Sequence, residues 1–230
     1  MTDHKTVYQQ EAARYQRLIA REDYQENLLP ALKKITRLQG IDILDLGAGT
    51  GRLAHLLAPQ ARSVHALDLS PHMLEVAVER LRKQQLGHWQ VTAGDHRYLP
   101  LENNSADLIV SGWSFCYLMV WGGEDWQQQV DSALLEMERV LRKVGTIIII
   151  ETLGTGNTQP AEIDKLSHYF DYLIQIGFQR SWIRTDYRFD SRDEALELVQ
   201  FFFGEDMLEK IGNENNPILP ECTGIWWKKI

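Results

Sequence analysis

The residues with the clearest chemical meaning are Leu44-Asp45-Leu46-Gly47-Ala48-Gly49-Thr50-Gly51, an apolar run that enters a glycine turn and then a helix. Glycine at such a turn permits positive φ and lets a ligand approach bare backbone. The N–H groups at the helix start favour negative charge. Asp68 ends the next apolar run, and Gly94-Asp95 follows the one after it. A carboxylate at the end of a second strand can accept hydrogen bonds from both ribose hydroxyls of a nucleoside. The dinucleotide fingerprint would place its third glycine where Arg52 stands, so the spacing here is Gly-x-Gly-x-Gly. Asp45, just before the loop, suits an ammonium group better than a pyrophosphate. Its structural alternative is a carboxylate bonded to loop amides.

These residues need a scaffold, and the sequence supplies one. Helical spacing is expected over Tyr8–Ala20 and Tyr24–Leu38, the second with Leu28, Leu29, Leu32 and Ile35 on one stripe. Strands follow at Ile41–Leu46, Ser63–Leu69, His88–Ala93, Ala106–Ser111 and Thr146–Ile150. Between them lie a short helix at Gly51–Ala58, a helix at Met73–Gln85 capped by Ser70 with Pro71 at its start, and one from Trp126 to Leu141 closed by Gly145. A further helix should run from after Pro160 to about Gln175, then a strand near Phe178–Arg188 and a last strand at Thr223–Lys229. This alternation predicts an α/β fold. We expect a doubly wound, Rossmann-like seven-stranded mixed sheet, its last strand antiparallel, with N-terminal helices and a helical insertion before that strand. The expected organisation is a single domain over 1–230: a helical cap at 1–38, a cofactor-binding core at 39–189, an acidic insertion or lid at 190–221 and a closing strand at 222–230.

Composition narrows the partners. Lys and Arg total 24 against 32 Asp and Glu, a formal charge of −8, which argues against affinity built on phosphate neutralisation. Between Asp186 and Glu221 lie 10 acidic and 3 basic residues, so nearly all of that charge sits in one segment. The basic clusters Arg80–Lys83 and Arg139–Lys143 read as solvated helix ends. Cys116 and Cys222 are far apart, which excludes a disulfide scaffold and a thiolate zinc site and suits a reducing compartment. Met1–Leu18 lacks the pattern of a signal peptide, no apolar run approaches ~20 residues, and a cytoplasmic location is expected. The seven histidines show no ligand spacing with carboxylates, so no metal is expected.

Taken together, Leu44–Gly51, Asp68 and Gly94-Asp95 resemble the motifs of the class I S-adenosylmethionine-dependent methyltransferases, over roughly Tyr8 to Glu151. The resemblance implies S-adenosyl-L-methionine as cofactor, S-adenosyl-L-homocysteine as product, and methyl transfer to a small-molecule O, N or C nucleophile by in-line displacement. It implies that Gly47, Ala48, Gly49, Thr50 and Gly51 pack against the methionine part, with Asp45 near its amino group. It places Asp68 on the ribose, and Leu69, Met73, Gly94, Asp95 and His96 about the adenine, with Ser111 at the end of the fourth strand. Tyr8 and Tyr15 resemble an aromatic helix covering the cofactor. The family's amide-modifying branch carries Asn/Asp-Pro-Pro-Tyr where this chain has Ser111-Gly112-Trp113-Ser114, which speaks against base amines as acceptors.

Trp113, Phe115, Tyr117 and Trp121 follow the fourth strand at the carboxyl edge where such sheets bind ligands, and are expected to line the substrate pocket. His96 is the candidate base, His72 a weaker one, and Cys116 reads as a buried hydrophobe. The insertion opens on a capping box, Ser191 with Glu194, and carries Ala195, Leu198, Val199 and Phe202 on one face, then Met207, Leu208 and Ile211. We expect it to pack over the pocket mouth with its carboxylates exposed, either drawing a cationic substrate such as an amine or simply solvated. A nucleotide-dependent oxidoreductase and a non-catalytic cofactor-binding module are the competing readings.

Overall fold

The structure, a computed structural model, describes residues 4–213 and 215–230. Residues 1–3 of the expected cap and Glu214 of the insertion lie outside the described residues. Seven strands form one sheet in the order β3-β2-β1-β4-β5-β9-β6. These are β1 (Asp42–Leu46), β2 (Ser63–Asp68), β3 (Trp89–Ala93), β4 (Ala106–Gly112), β5 (Leu141–Thr155), β6 (Gln179–Arg184) and β9 (Glu221–Lys229). Strands β1 to β5 pair in parallel, and β9 lies antiparallel between β5 and β6. The doubly wound mixed sheet with an antiparallel last strand is therefore present.

The central strands β1 and β4 and the Thr146–Ile150 run of β5 are buried on both faces, as their near-continuous apolar sequences require, whereas the edge strand β3 has no fully buried residue. In β5, Ile147 and Ile149 enter one core with α7 (Trp126–Val140) and α8 (Asp164–Gln175). Ile148 and Ile150 enter the opposite core with α3 (Leu28–Ile35), α4 (Arg52–Leu57) and α5 (Pro71–Lys83). Ser70 caps α5 as its sequence position suggests, its Oγ accepting from the Met73 amide.

Four boundaries differ from the expected ones for a tertiary reason. The first helix is two, α1 (His4–Gln10) and α2 (Ala12–Ile19), because its central backbone bond is diverted. The Tyr8 carbonyl accepts from Ser70 Oγ at 2.9 Å and the Ala12 amide donates to His72 at 3.4 Å. The second helix begins at Leu28, where the Asp23 carboxylate takes the Asn27 and Leu28 amides. The strand expected to reach Arg188 leaves the sheet after Arg184. Tyr187–Arg188, as β7, pairs instead with β8 (Ile218–Leu219) at the root of the insertion. At the other side, α7 ends at Val140, since Leu141 already pairs with Ala106, and Gly145 lies inside β5.

The insertion holds α9 (Arg192–Phe203), with Ala195, Leu198 and Val199 buried against Leu18 of α2, and a 3₁₀ turn at Glu205–Lys210. Ser191 Oγ accepts from the Glu194 amide at 3.2 Å, while the Glu194 carboxylate reaches one residue further back to the Asp190 amide. Ser191→Ala should cost about 1 kcal/mol of stability, measurable as a fall in the denaturant midpoint at unchanged slope. No helix among the described residues is long and apolar enough to cross a membrane.

Candidate functional site

The glycine turn leaves β1 at the point where the strand order reverses between β1 and β4, which opens a crevice at the carboxyl edge of the sheet. Gly47, Gly49 and Gly51 all have positive φ. The Gly47 and Ala48 amides donate to the Leu67 carbonyl at 2.8 and 2.9 Å, lashing the turn to β2. Asp68 fixes the same region from the other side. Its Oδ2 accepts from the Gly49 amide and its Oδ1 from the Ser70 amide, each at 2.8 Å. Burial raises the Asp68 carboxyl above the ordinary range, opposed by those amide bonds.

Asp45 is nearly inaccessible, and its Oδ2 accepts from the Ala54 amide of α4 at 2.7 Å. Burial pushes its pKa up to about 7, opposed by the Ala54 amide. The carboxylate thus has the structural partner considered from sequence and also lines the cavity.

One cavity of about 810 Å³ gathers most of the expected residues. Asp45, Gly47, Ala48, Gly49, Thr50, Asp68, Leu69, Met73, Asp95 and His96 line it, and Tyr8 and Tyr15 roof it. Trp113, Tyr117 and Trp121 line the same space. Four expected residues do not. Gly51 faces α5 instead, where a Cβ would sit 2.9 Å from that of Ala77. Gly94 abuts the Leu67 side chain, and Ser111 is fully buried inside β4. Phe115 is fully buried in the core and supports His96 from behind, their rings stacked at 6.0 Å. Phe115 is therefore a wall of the core and not of the pocket.

The roof is held by aromatic contacts. The Tyr8 and Tyr117 hydroxyls lie 2.7 Å apart, and His4 Nδ1 is 3.1 Å from the Tyr117 hydroxyl. Tyr117, in the short helix α6 (Tyr117–Val120), stacks on Trp121 at 4.2 Å, and Lys5 Nζ sits 4.8 Å over the Trp121 ring. On the floor, burial lowers His96 to about 4, so its imidazole is uncharged at neutral pH. Arg97 brackets Asp95 through Nε and Nη2 and holds its carboxyl below the ordinary range. Cys116 is buried beside Glu151, and burial raises both its thiol and that carboxyl, the latter to about 8. Such surroundings disfavour a thiolate.

The insertion does not line the cavity. It forms a second layer on the N-terminal helices: Phe202 stacks on His4 at 4.6 Å and reaches Tyr15 at 5.3 Å. Nor are all its carboxylates left to solvent. Glu197 pairs with Arg14 and Arg17, and Asp190 and Glu194 pair with Arg21. An acidic field drawing an amine is weakened accordingly, because α2 supplies the counter-charges. The basic clusters are similarly engaged, Arg80 with the Thr50 carbonyl and Arg139 with Glu136.

Residues that carry no periodic signal also enter the site. Ser114 packs against Gly47, Gln129 accepts from Arg97, and Arg52 lines the cavity beside Trp113. The adjacency of Arg52 to the loop was the one available sign. Among the described residues no group of three His, Cys, Asp or Glu side chains is arranged to hold a metal ion.

Comparison with known proteins fits this geometry. A family model described as a methyltransferase domain matches residues 44–149. The demethylmenaquinone methyltransferase of Tropheryma whipplei is 31% identical over 121 residues, covering 53% of this chain and 46% of that protein. The malonyl-[acyl-carrier protein] O-methyltransferase of Serratia marcescens is 34% identical over 120 residues, covering 52% and 41%. The chain thus spans less than half the length of these relatives. A solved structure of a candidate S-adenosyl-L-methionine-dependent methyltransferase from Methanococcus maripaludis matches with a TM-score of 0.58 and 25% identity, covering 80% of this chain and 91% of that one.

Proposed function

We propose that the chain carries a class I S-adenosylmethionine-dependent methyltransferase domain and moves the cofactor's methyl group to a small-molecule nucleophile by in-line displacement. The observation that carries this reading is the convergence of the glycine turn, Asp68 and the Tyr8–Tyr15–Tyr117 roof on one cavity. That cavity fits a nucleoside bearing a sulfonium and an amino-acid arm. Asp68 offers carboxylate oxygens to ribose hydroxyls while holding the turn, and Leu69 and Met73 give apolar surface beside Asp95 for the base. Bound S-adenosylmethionine supplies an electrophilic methyl on sulfur and leaves as S-adenosylhomocysteine.

The chain's own contribution is largely positioning, which can lower a barrier by up to ~7–11 kcal/mol in ideal cases. The tyrosine faces favour a cation at ~0.5–2 kcal/mol each and exclude water. Trp113, Tyr117 and Trp121 form the acceptor's wall. His96, uncharged, presents a lone pair near the turn, suited to orienting a hydroxyl or amine more than to taking its proton, given a pKa near 4. By name the two relatives act on demethylmenaquinone and, at oxygen, on malonyl-[acyl-carrier protein]; for this chain the nucleophile stays open between O, N and C.

Calorimetric titration with S-adenosylmethionine, S-adenosylhomocysteine and NAD tests the cofactor. Response to NAD with silence toward the sulfonium ligands would sink this reading. Asp68→Ala should weaken S-adenosylhomocysteine by roughly 1–3 kcal/mol, through a lost charge-assisted contact and a loosened Gly49 amide. Undiminished affinity would remove Asp68 from the ribose. A methyl-transfer screen across small hydroxyl, amine and carboxylate acceptors then identifies the substrate.

A further inference from the structure

Among the described residues, Arg52 is the one lining the cavity that has a buried side-chain polar atom without a hydrogen-bond partner. It opens α4 directly after the glycine turn, and its side chain is 15% exposed. One arm and the face of the guanidinium are engaged. Nη1 donates to Glu22 at 2.5 Å, and the plane lies 3.9 Å over the Trp113 ring. Nη2 is buried and has no hydrogen-bond partner among the described residues. A buried N–H donor left unmade is costly, and more so on a charged group. Trp113, beneath it, holds a left-handed backbone at φ 50°, rare for a bulky residue and a cost that tends to persist at working sites.

We propose that Arg52 Nη2 is the receptor for the carboxylate of the cofactor's amino-acid arm, and that through Glu22 this contact fastens the N-terminal cap over the site. The proposal rests on the methyltransferase reading above. Its chemistry is a charge-assisted guanidinium–carboxylate contact, with the planar fork pre-aimed by Trp113 and Glu22. Asp45 lies one residue before the end of β1 and Arg52 opens α4 after the turn, so one anion and one cation bracket the loop and match the two ends of a zwitterionic arm.

The coupling to the cap runs through the other arm of Arg52. Glu22 Oε1 accepts from Thr185 Oγ1 at 3.0 Å, and Thr185 in turn meets Thr223 of β9. The turn carrying Glu22 is further tied by backbone bonds from Asp23 to Thr185 and from Arg188 to Arg21. A ligand that completes the coordination of Arg52 therefore stiffens the junction of cap, α4 and closing strand.

The test compares S-adenosylhomocysteine with 5′-methylthioadenosine, which keeps the nucleoside and thioether but lacks the amino-acid arm. In calorimetry on the full chain, Arg52→Gln should weaken S-adenosylhomocysteine roughly 10- to 100-fold and leave 5′-methylthioadenosine within threefold. Arg52→Lys, which keeps the charge but not the fork, should fall between. Because Arg52→Gln strands Glu22, the Arg52→Gln/Glu22→Gln pair repeats the measurement with the local charge balanced. Hydrogen exchange supplies a second readout. In the unaltered protein, S-adenosylhomocysteine should protect residues 15–25 more than 5′-methylthioadenosine does, and Arg52→Gln should erase that difference. Equal weakening of both ligands, or none, overturns the assignment; unchanged S-adenosylhomocysteine affinity would hand Arg52 to a carboxylate on the acceptor. Equal cap protection by both ligands overturns the fastening. Binding of neither ligand to the unaltered protein overturns the cofactor reading along with the proposal.

Discussion

Gly47→Ala is expected to weaken S-adenosylhomocysteine binding at least ~100-fold while far-UV circular dichroism stays unchanged. Gly47 has φ 75°, where an alanine costs roughly 1–2 kcal/mol. Its Cβ would also lie 1.9 Å from Ser114 Oγ and 2.5 Å from Ser114 Cβ, with His96 Nε2 at 3.0 Å. Turning the serine hydroxyl aside cannot relieve this, since Ser114 Cβ is itself too close. The Ser114 backbone cannot easily retreat either, because the preceding Trp113 amide is bonded to the Ile150 carbonyl at 2.6 Å. The turn must therefore move, and with it the Gly47 and Ala48 amides that are bonded to Leu67. Those displacements remove the surface on which the methionine arm is proposed to lie. Adding Ser114→Gly removes the collision with Ser114 and leaves the backbone cost and the tight His96 contact, so the double variant should recover part of the affinity and remain at least about 5- to 30-fold weak. Calorimetry on the two proteins separates the contributions. Binding within threefold of the unaltered protein in Gly47→Ala would mean that the turn is not the cradle.

What could be read in advance and what could not follow from the range of the forces involved. Strands β1, β4 and β5 were legible because apolar runs buried on both faces have few other uses, and β2 and β3 because they fall between helical segments in the same alternating rhythm. Ser70, Pro71 and the carboxylates Asp45, Asp68 and Asp95 were legible because each is dictated by its immediate neighbours in the chain. The break at Glu11 was not, since it depends on Ser70 and His72 some sixty residues away, which take the backbone groups that would have joined α1 to α2. The same holds for the site. Trp113, Phe115 and Tyr117 look alike in sequence, yet Phe115 turns into the core and supports His96 while its neighbours face the cavity. The acidity of the insertion misled for a related reason: its partners, Arg14, Arg17 and Arg21, lie at the far end of the chain. Arg52 had an obvious position but no readable role until Glu22 and Trp113 were seen around it.

Asp45→Asn should stabilise the ligand-free protein at pH 8 and, in the same protein, weaken the cofactor. Asp45 titrates near 7 in the fold because burial penalises its charge, against about 3.9 when unfolded. The folded state therefore holds a proton that the unfolded state has lost between those values. Stability from this group is full below about pH 4 and is lost as pH rises through 7, amounting to about 4 kcal/mol by pH 8. Asparagine stays neutral and can still accept from the Ala54 amide. The two proteins should thus melt alike near pH 4, and the variant should melt roughly 10 °C higher at pH 8. Glu151 and Glu221, each raised to about 8 by burial, give the same trend in both proteins, so the difference between proteins is the informative quantity. Binding should move the other way. An ammonium group beside Asp45 draws it to the carboxylate, so S-adenosylhomocysteine binding releases a proton and strengthens from pH 6 to pH 8. In Asp45→Asn that slope should flatten and affinity at pH 8 fall at least ~10-fold. Calorimetry in buffers of different ionisation enthalpy counts the proton directly. A variant that is stabilised yet binds as tightly, with the same pH slope, would reduce Asp45 to a cap for α4. Stabilisation paired with weakened binding would show a carboxylate kept at the expense of the fold because the ligand needs its charge.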